Sequence, residues 1–252
     1  MLEVRGVTKR FSGTGGISAL NLTVLPGELM GLVGANGAGK STSLKAICGL
    51  LEPESGHVLL NGHDVHASPV QAKHHLGYVP DGHDLPDLVT MAEYFEFVGA
   101  LRGLPRGESI ARGKAIMELL HAEQYLDSYL GTLSHGTKKK VQIVGALVGK
   151  PRLLVLDEPT SGLDAETQAV FKELIKACRN RGMAILMASH NLMAAESLCD
   201  SVTLIHQSEC LFSGPMFELL KGERNLEDAV LSLARGTEWR QEVAHTVDRL
   251  AL

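Results

Sequence analysis

The stretch Gly34-Ala35-Asn36-Gly37-Ala38-Gly39-Lys40-Ser41-Thr42 limits what this chain can fold into more than any other. It reads G-x-x-x-x-G-K-S, a phosphate-binding loop. The apolar run Leu29-Met30-Gly31-Leu32-Val33 precedes it and suits a buried strand. A helical pattern from Ser41 to Leu50 follows, with Leu44, Ile47, Cys48 and Leu51 at apolar positions. Strand, glycine loop and helix are the context in which such a loop works. Glycines let successive N–H groups turn inward toward an anion, and the helix N-terminus adds partial positive charge. Lys40 is placed to reach the β- and γ-phosphates of a nucleotide, and the Ser41 hydroxyl to ligate Mg²⁺. The alternative is a glycine-rich turn without a ligand. It leaves the Lys-Ser pair and both flanks unexplained.

The remaining composition sets few further limits. With 252 residues, 44% hydrophobic and 21% charged, the chain has enough apolar material for a sizeable core. A formal net charge of -5 gives no bulk-charge reason to expect nucleic acid as a partner. Cys48, Cys178, Cys199 and Cys210 show no C-x-x-C spacing and read as reduced thiols of a cytoplasmic protein. The start, Met1 to Arg5, does not read as a signal peptide. No apolar stretch reaches the roughly 18 residues of a membrane span, so any membrane contact is expected through a partner.

In chain order, Leu2 to Val7 alternates as a strand, and Lys9 to Gly13 reads as a turn. Ala19 to Leu25 is a second strand with Leu20, Leu22 and Val24 on one face. Val58 to Leu60 is a short strand before the hairpin signal Asn61-Gly62. The texture changes after the strand Leu76 to Val79 and the loop Pro80 to Asp84. From Thr90 the period is helical, with Met91, Tyr94, Phe95 and Val98 on one face, then Ile116, Leu119 and Leu120 in the next helix. A helix from Thr137 to Val148 ends this part, and Lys138 to Lys140 reads as its solvated face. Leu153 to Leu156, ending in Asp157 and Glu158, suits a strand buried on both faces. A helix with Val170, Phe171, Leu174 and Ile175 follows, then a strand from Met183 to Ser189, a short helix (Leu192 to Cys199) and two strands. Glu227 to Ala234 reads as an amphipathic helix. Trp239 is either a docking residue or a half-buried anchor.

The expected fold is α/β: a P-loop NTPase core, a mixed sheet with an antiparallel part, interrupted by a helical subdomain. Residues 1–77 and 149–220 form the nucleotide-binding core in this reading. Residues 78–148 form the helical insertion and residues 221–252 a C-terminal helical extension. A phosphate loop needs an acid for the metal and a group that positions water. Asp157, at a strand end, suits the first role, and Glu158, pointing elsewhere along the pleat, suits the second.

The run Leu153 to Asp164, L-L-V-L-D-E-P-T-S-G-L-D, closely resembles the Walker B and D-loop segment of ATP-binding cassette (ABC) ATPases. The resemblance extends from Leu2 to about Leu233. It implies that Gly34, Asn36, Gly37, Ala38, Gly39, Lys40, Ser41 and Thr42 bind ATP, with Mg²⁺ on Ser41 and Asp157. It implies that Phe11 stacks on adenine, the alternative being a turn aromatic packed on the core. Glu158 and His190 would be the catalytic pair, His190 as the switch histidine that contacts the γ-phosphate. Asp81 stands where the family usually has glutamine, and it can ligate Mg²⁺ or bind its water. Leu133-Ser134-His135-Gly136-Thr137 stands where the family usually has L-S-G-G-Q. Ser134, His135 and Gly136 would close over the ATP of a second copy or a related cassette, and Asp164 would lie at that seam.

Such resemblance implies an ATPase that drives a separate transmembrane permease from the cytoplasmic face of the membrane. The tail segment Asn225 to Ala229 is similar to one common in export-type cassettes. Two alternatives stand beside this reading. One is an ABC protein without a permease, acting on ribosomes, DNA or cofactor assembly. The other is a regulatory cassette that binds ATP without hydrolysing it.

Overall fold

The computed structural model describes residues 1–11 and 15–235. Trp239 and the turn residues Ser12 and Gly13 lie outside them. The elements run β1 (Leu2–Arg10), β2 (Gly16–Val24), β3 (Leu29–Val33), α1 (Lys40–Ile47), β4 (Ser55–Leu60), β5 (His63–Asp64), α2 (Pro69–Lys73) and β6 (Leu76–Val79). Three helices follow, α3 (Met91–Ala100), α4 (Arg106–Leu119) and α5 (His135–Val148). The rest is β7 (Leu153–Asp157), α6 (Ala165–Asn180), β8 (Ala184–Ser189), α7 (Leu192–Leu198), β9 (Ser201–His206), β10 (Glu209–Pro215), α8 (Met216–Leu219) and α9 (Leu226–Arg235).

Among the described residues the strands form one sheet in the order β5-β4-β1-β2-β10-β9-β3-β8-β7-β6. From β6 to β9 every neighbour is parallel, as Leu32↔Ala188 and Leu156↔Met187 illustrate. The other end is an antiparallel ribbon of β2, β1, β4 and β5, joined to the parallel part through β10. Leu60↔His63 closes the hairpin over Asn61-Gly62. The mixed sheet with an antiparallel part is therefore as expected. The first strand is longer than its alternation suggested: it runs through Lys9 and Arg10 and pairs Arg10 with Gly16.

Why the central strands are apolar throughout is visible in where each side chain goes. Every residue of β3, β7 and β8 is buried. Met30, Leu32, Leu153, Val155 and Leu186 pack to one face, against Leu44 and Ile47 of α1 and the antiparallel ribbon. Leu29, Val33, Leu154, Leu156 and Ile185 pack to the other, against Phe171 and Ile175 of α6 and Ala229 of α9. A strand covered on both sides has no position left for a polar residue until its end. That end is where β7 delivers Asp157.

A third apolar cluster, with Met91, Phe95, Met117, Val141 and Val144 at its centre, is built by α3, α4 and α5. One expectation fails in part here. Leu120 is buried in this cluster and Ile116 packs against it, but Leu119 is 54% exposed. The buried residues within α4 are Ser109, Gly113 and Met117, two of them small, so apolar periodicity shows only part of the inner face. The second failure concerns Lys138 to Lys140. Lys139 is fully buried and Lys140 Nζ donates to the Leu120 carbonyl at 2.7 Å, so this is not a solvated face.

Candidate functional site

The loop after β3 is shaped by backbone contacts that only glycine permits. Gly39, at the N-cap of α1, has φ +114°, and a Cβ there would lie 2.1 Å from the Gly16 carbonyl oxygen. Ala38 is buried beneath the loop, and its carbonyl accepts from Ser208 N–H at 3.1 Å. Lys40 is buried too. Its ammonium donates to the carbonyls of Gly34 at 2.7 Å and Ala35 at 3.2 Å. Burial lowers the Lys40 pKa, while the nearby Glu158 and Asp157 carboxylates oppose that shift.

Above this loop lies a cavity of about 600 Å³. Its walls include Phe11, Asn36, Gly37, Gly39, Lys40, Ser41 and Thr42 from the N-terminal half. Asp81 comes from the loop after β6, Glu158 from the end of β7 and His190 from the end of β8. His190 and Phe11, far apart in sequence, thus line one cavity because β8, β3 and β1 end, and β2 begins, at the same side of the sheet. A crevice at the carboxyl ends of parallel strands is the usual place for a ligand in such sheets. The cavity also uses Gly15, Gly16 and Ser161, which motif reading missed. The Gly15-Gly16 pair shortly after Phe11 was the available signal.

Asp157 is 2% exposed, and the neighbouring Ser41 hydroxyl favours its ionised form. Its Oδ1 is buried without a protein partner. Burial raises the Asp157 pKa, and the Asp81 and Glu158 charges add to that. Glu158 has φ +45°, a left-handed conformation uncommon outside glycine. That turn takes its side chain away from Asp157 and into contact with His190. Glu158 Oε1 accepts from His190 N–H at 2.9 Å and lies 2.8 Å from His190 Nδ1. A backbone held in such a conformation beside a cleft is a feature found at functional sites.

Ser134, His135, Gly136 and Asp164 are not among the residues lining this cavity. Ser134 caps α5, its hydroxyl accepting from Thr137 N–H at 3.2 Å. Asp164 caps α6, accepting from Thr167 N–H at 2.8 Å and Thr167 Oγ1 at 2.9 Å, and these bonds lower its pKa. Gly136 lies against the loop before α6, where a Cβ would come 3.0 Å from the Gly162 carbonyl oxygen. His135 meets His83 edge to face, ring centroids 4.8 Å apart.

The arrangement matches known proteins over most of the chain. The ABC transporter family profile matches residues 17–161. The chain is 35% identical over 207 residues to the ABC transporter ATP-binding protein NatA of Bacillus subtilis, covering 82% of this chain and 84% of that protein. It is 34% identical over 222 residues to the Nod factor export ATP-binding protein I of Burkholderia lata, covering 88% of this chain and 73% of that one. Among solved structures, the ATP-binding subunit of an ABC transporter superimposes with a TM-score of 0.87 at 29% identity, covering 93% of this chain and 99% of that chain. A buried-strand sheet, a glycine loop under a polar cavity and these likenesses agree, and the chain belongs to the ABC transporter family as an ATP-binding subunit.

Proposed function

We propose that this chain hydrolyses ATP in a pair of cassettes and drives a separate export permease. The observation that carries the hydrolytic part is the Glu158–His190 contact across the cavity from Lys40, Ser41 and Thr42. In this reading Glu158 orients the attacking water and accepts its proton, and His190 holds the Glu158 carboxylate and faces the γ-phosphate. Lys40 and the N–H groups of Gly37 to Thr42 hold the phosphates, and Phe11 faces the base. Ser41 and Asp157 fit Mg²⁺, because a buried carboxylate oxygen without a partner stands beside a hydroxyl. Among the described residues no three His, Cys, Asp or Glu side chains group to hold a metal alone, so phosphate oxygens would complete its shell. When bound, the ion neutralises phosphate charge. Asp81 is the second acid on this wall, beside Glu158.

Pairing is supported by the place of Ser134, His135 and Gly136, off the cavity of their own chain. They are free to cover the cavity of another, with Asp164 close by. The division into a core (1–77 and 149–220), a helical unit (78–148) and an extension (221–252) fits the separate apolar cluster of α3 to α5. The permease is supported by a second groove, where Leu50, Lys73, Tyr94, Val98 and Arg102 meet between α1 and α3. No helix among the described residues is long and apolar enough to cross a membrane, so a membrane-spanning partner would supply the path. Export is supported by the Nod factor export relatives.

Glu158→Gln tests this. It should bind ATP, hydrolyse it at least about a hundredfold more slowly, and form ATP-dependent dimers on size-exclusion chromatography. Wild-type turnover in that variant would remove Glu158 from the mechanism.

A further inference from the structure

Lys139 has no place in the roles assigned so far, yet it is the largest fully buried charged side chain among the described residues. It sits in the second turn of α5, behind the Ser134 cap. Its ammonium donates to the Pro80 carbonyl at 2.7 Å and the Asp81 carbonyl at 3.0 Å. One turn on, Gln142 Nε2 donates to the Gly82 carbonyl at 2.8 Å. Three consecutive carbonyls of the Asp81 loop are thus held by two side chains on one face of α5. The carboxylates that act on Lys139 are those of Asp81, Asp157 and Glu158, in that order of strength. It is the second buried cation facing this acid group, after Lys40.

We infer that Lys139 is a positioning residue for Asp81: it pins the loop by its carbonyls and supplies the charge that keeps the Asp81 carboxylate on the cavity wall. The inference rests on the nucleotide reading of the cavity. A buried ammonium without a carboxylate partner in direct contact is costly unless its bonds are made. Here two carbonyls make those bonds, and the nearby acids supply opposite charge. Three carboxylates around one polyphosphate site would otherwise repel the ligand, and Asp81 is the one whose loop Lys139 holds directly. Without Lys139, Asp81 would be released toward the phosphates. With a neutral side chain at position 81, the charge part of this role is gone and only the carbonyl bonds remain for Lys139 to make. The effect of Lys139 on nucleotide binding should therefore pass through Asp81. The same contacts tie the helix that begins at Ser134 to the loop that carries Asp81.

The test is a double-mutant cycle read as affinity for metal-free ATP, measured by displacement of a fluorescent ATP analogue in EDTA. Lys139→Gln keeps a donor and removes the charge. It should weaken binding on the order of tenfold, while the same change in an Asp81→Asn background should weaken it less than about twofold. Equal losses in both backgrounds would make Lys139 a packing residue of α5 and overturn the inference, as would unchanged binding in Lys139→Gln. If Lys139→Gln melts early, Lys139→Met, which keeps the stem and drops both charge and donor, is the second variant: its loss should still be smaller in the Asp81→Asn background, and an equal loss in both would overturn the inference. A wild-type chain that fails to bind ATP would overturn the nucleotide reading instead, which separates the two failures.

Discussion

Asp157 carries an electrostatic load that can be measured without any ligand. Its folded pKa lies above the ordinary 3.8, raised first by burial and then by the Asp81 and Glu158 charges. A carboxyl that binds its proton more tightly in the native state gives stability that is complete below 3.8 and is lost as pH rises through the raised value. At neutral pH the ionised group is therefore a net burden on the metal-free fold. Asp157→Asn keeps the shape of the side chain beside Ser41 and removes the charge. It should raise the neutral-pH Tm by a few degrees in EDTA and flatten the decline in stability between acid and neutral pH. A lower Tm would mean that the carboxylate is not desolvated as its surroundings indicate. Residues such as Lys40, Ser41, Asp157, Glu158 and His190 were legible because their chemistry is tied to a short backbone pattern. Lys139 was not. Within the run Lys138 to Lys140 it looks like its neighbours, and what buries it is a loop 58 residues away. Lys138, by contrast, lies 3.6 Å from Asp87, and Lys140 reaches the end of α4. Three adjacent lysines thus have three different environments, which local sequence does not encode.

At the scale of elements, the strands were legible where burial was uniform, as in β3, β7 and β8, and the helices where the apolar period was clear, as in α3. The structure adds a capping box at the start of α3, made by Thr90 and Glu93. The Thr90 hydroxyl accepts from Glu93 N–H at 3.3 Å, and Glu93 returns a bond to Thr90 N–H at 2.7 Å. Helix α4 was legible as a helix and only partly in its orientation, because its contact with α3 is made by small residues. Gly113 leaves room for Phe95, and a Cβ there would meet Phe95 Cδ2 at 2.2 Å. Gly99 of α3 leaves room for Ser109 in the same way, at 1.8 Å from Oγ. Phe95 is fully buried and cannot move without disturbing the cluster it anchors. Gly113→Ala should therefore destabilise the chain by about 1–3 kcal/mol despite alanine's better helix propensity. Gly107, in the same helix, has open space where a Cβ would go, so Gly107→Ala should be neutral or gain a few tenths of a kcal/mol. Urea unfolding of the two variants decides it. Equal effects would mean that α3 and α4 are not packed as closely as their glycines allow.

For the whole molecule, the proposed pairing of cassettes has a consequence that single-chain variants cannot reach. The cavity with Lys40 and the α5 start with Ser134 belong to one chain but do not meet within it. If a second copy supplies Ser134 to each cavity, damage on different chains can be complemented, while damage on the same chain cannot. Lys40→Ala removes the cavity's cation. Ser134→Arg blocks the covering surface at the cost of one helix cap, about 0.5–2 kcal/mol, which leaves the fold standing. Either variant alone should be inactive in ATP hydrolysis. Mixed in equal amounts, random pairing makes half the dimers hybrid, and each hybrid holds one intact site formed by the unmodified cavity of one chain and the unmodified Ser134 of the other. About a quarter of wild-type activity is then expected if the two sites work independently. Less is expected if they must work together, and the Asp164 seam between them is where such coupling would act. The control is the chain carrying both substitutions mixed with wild type, whose hybrids have no intact site. Activity in the first mixture and not in the hybrids of the second requires a shared site. No activity in the first mixture, with both variants folded and dimerising, would mean either that Ser134 serves its own chain after a rearrangement or that one intact site is not enough. ATP-dependent dimerisation of a Glu158→Gln chain that also carries Ser134→Arg separates those two outcomes, because only the shared-site arrangement needs Ser134 to close the pair.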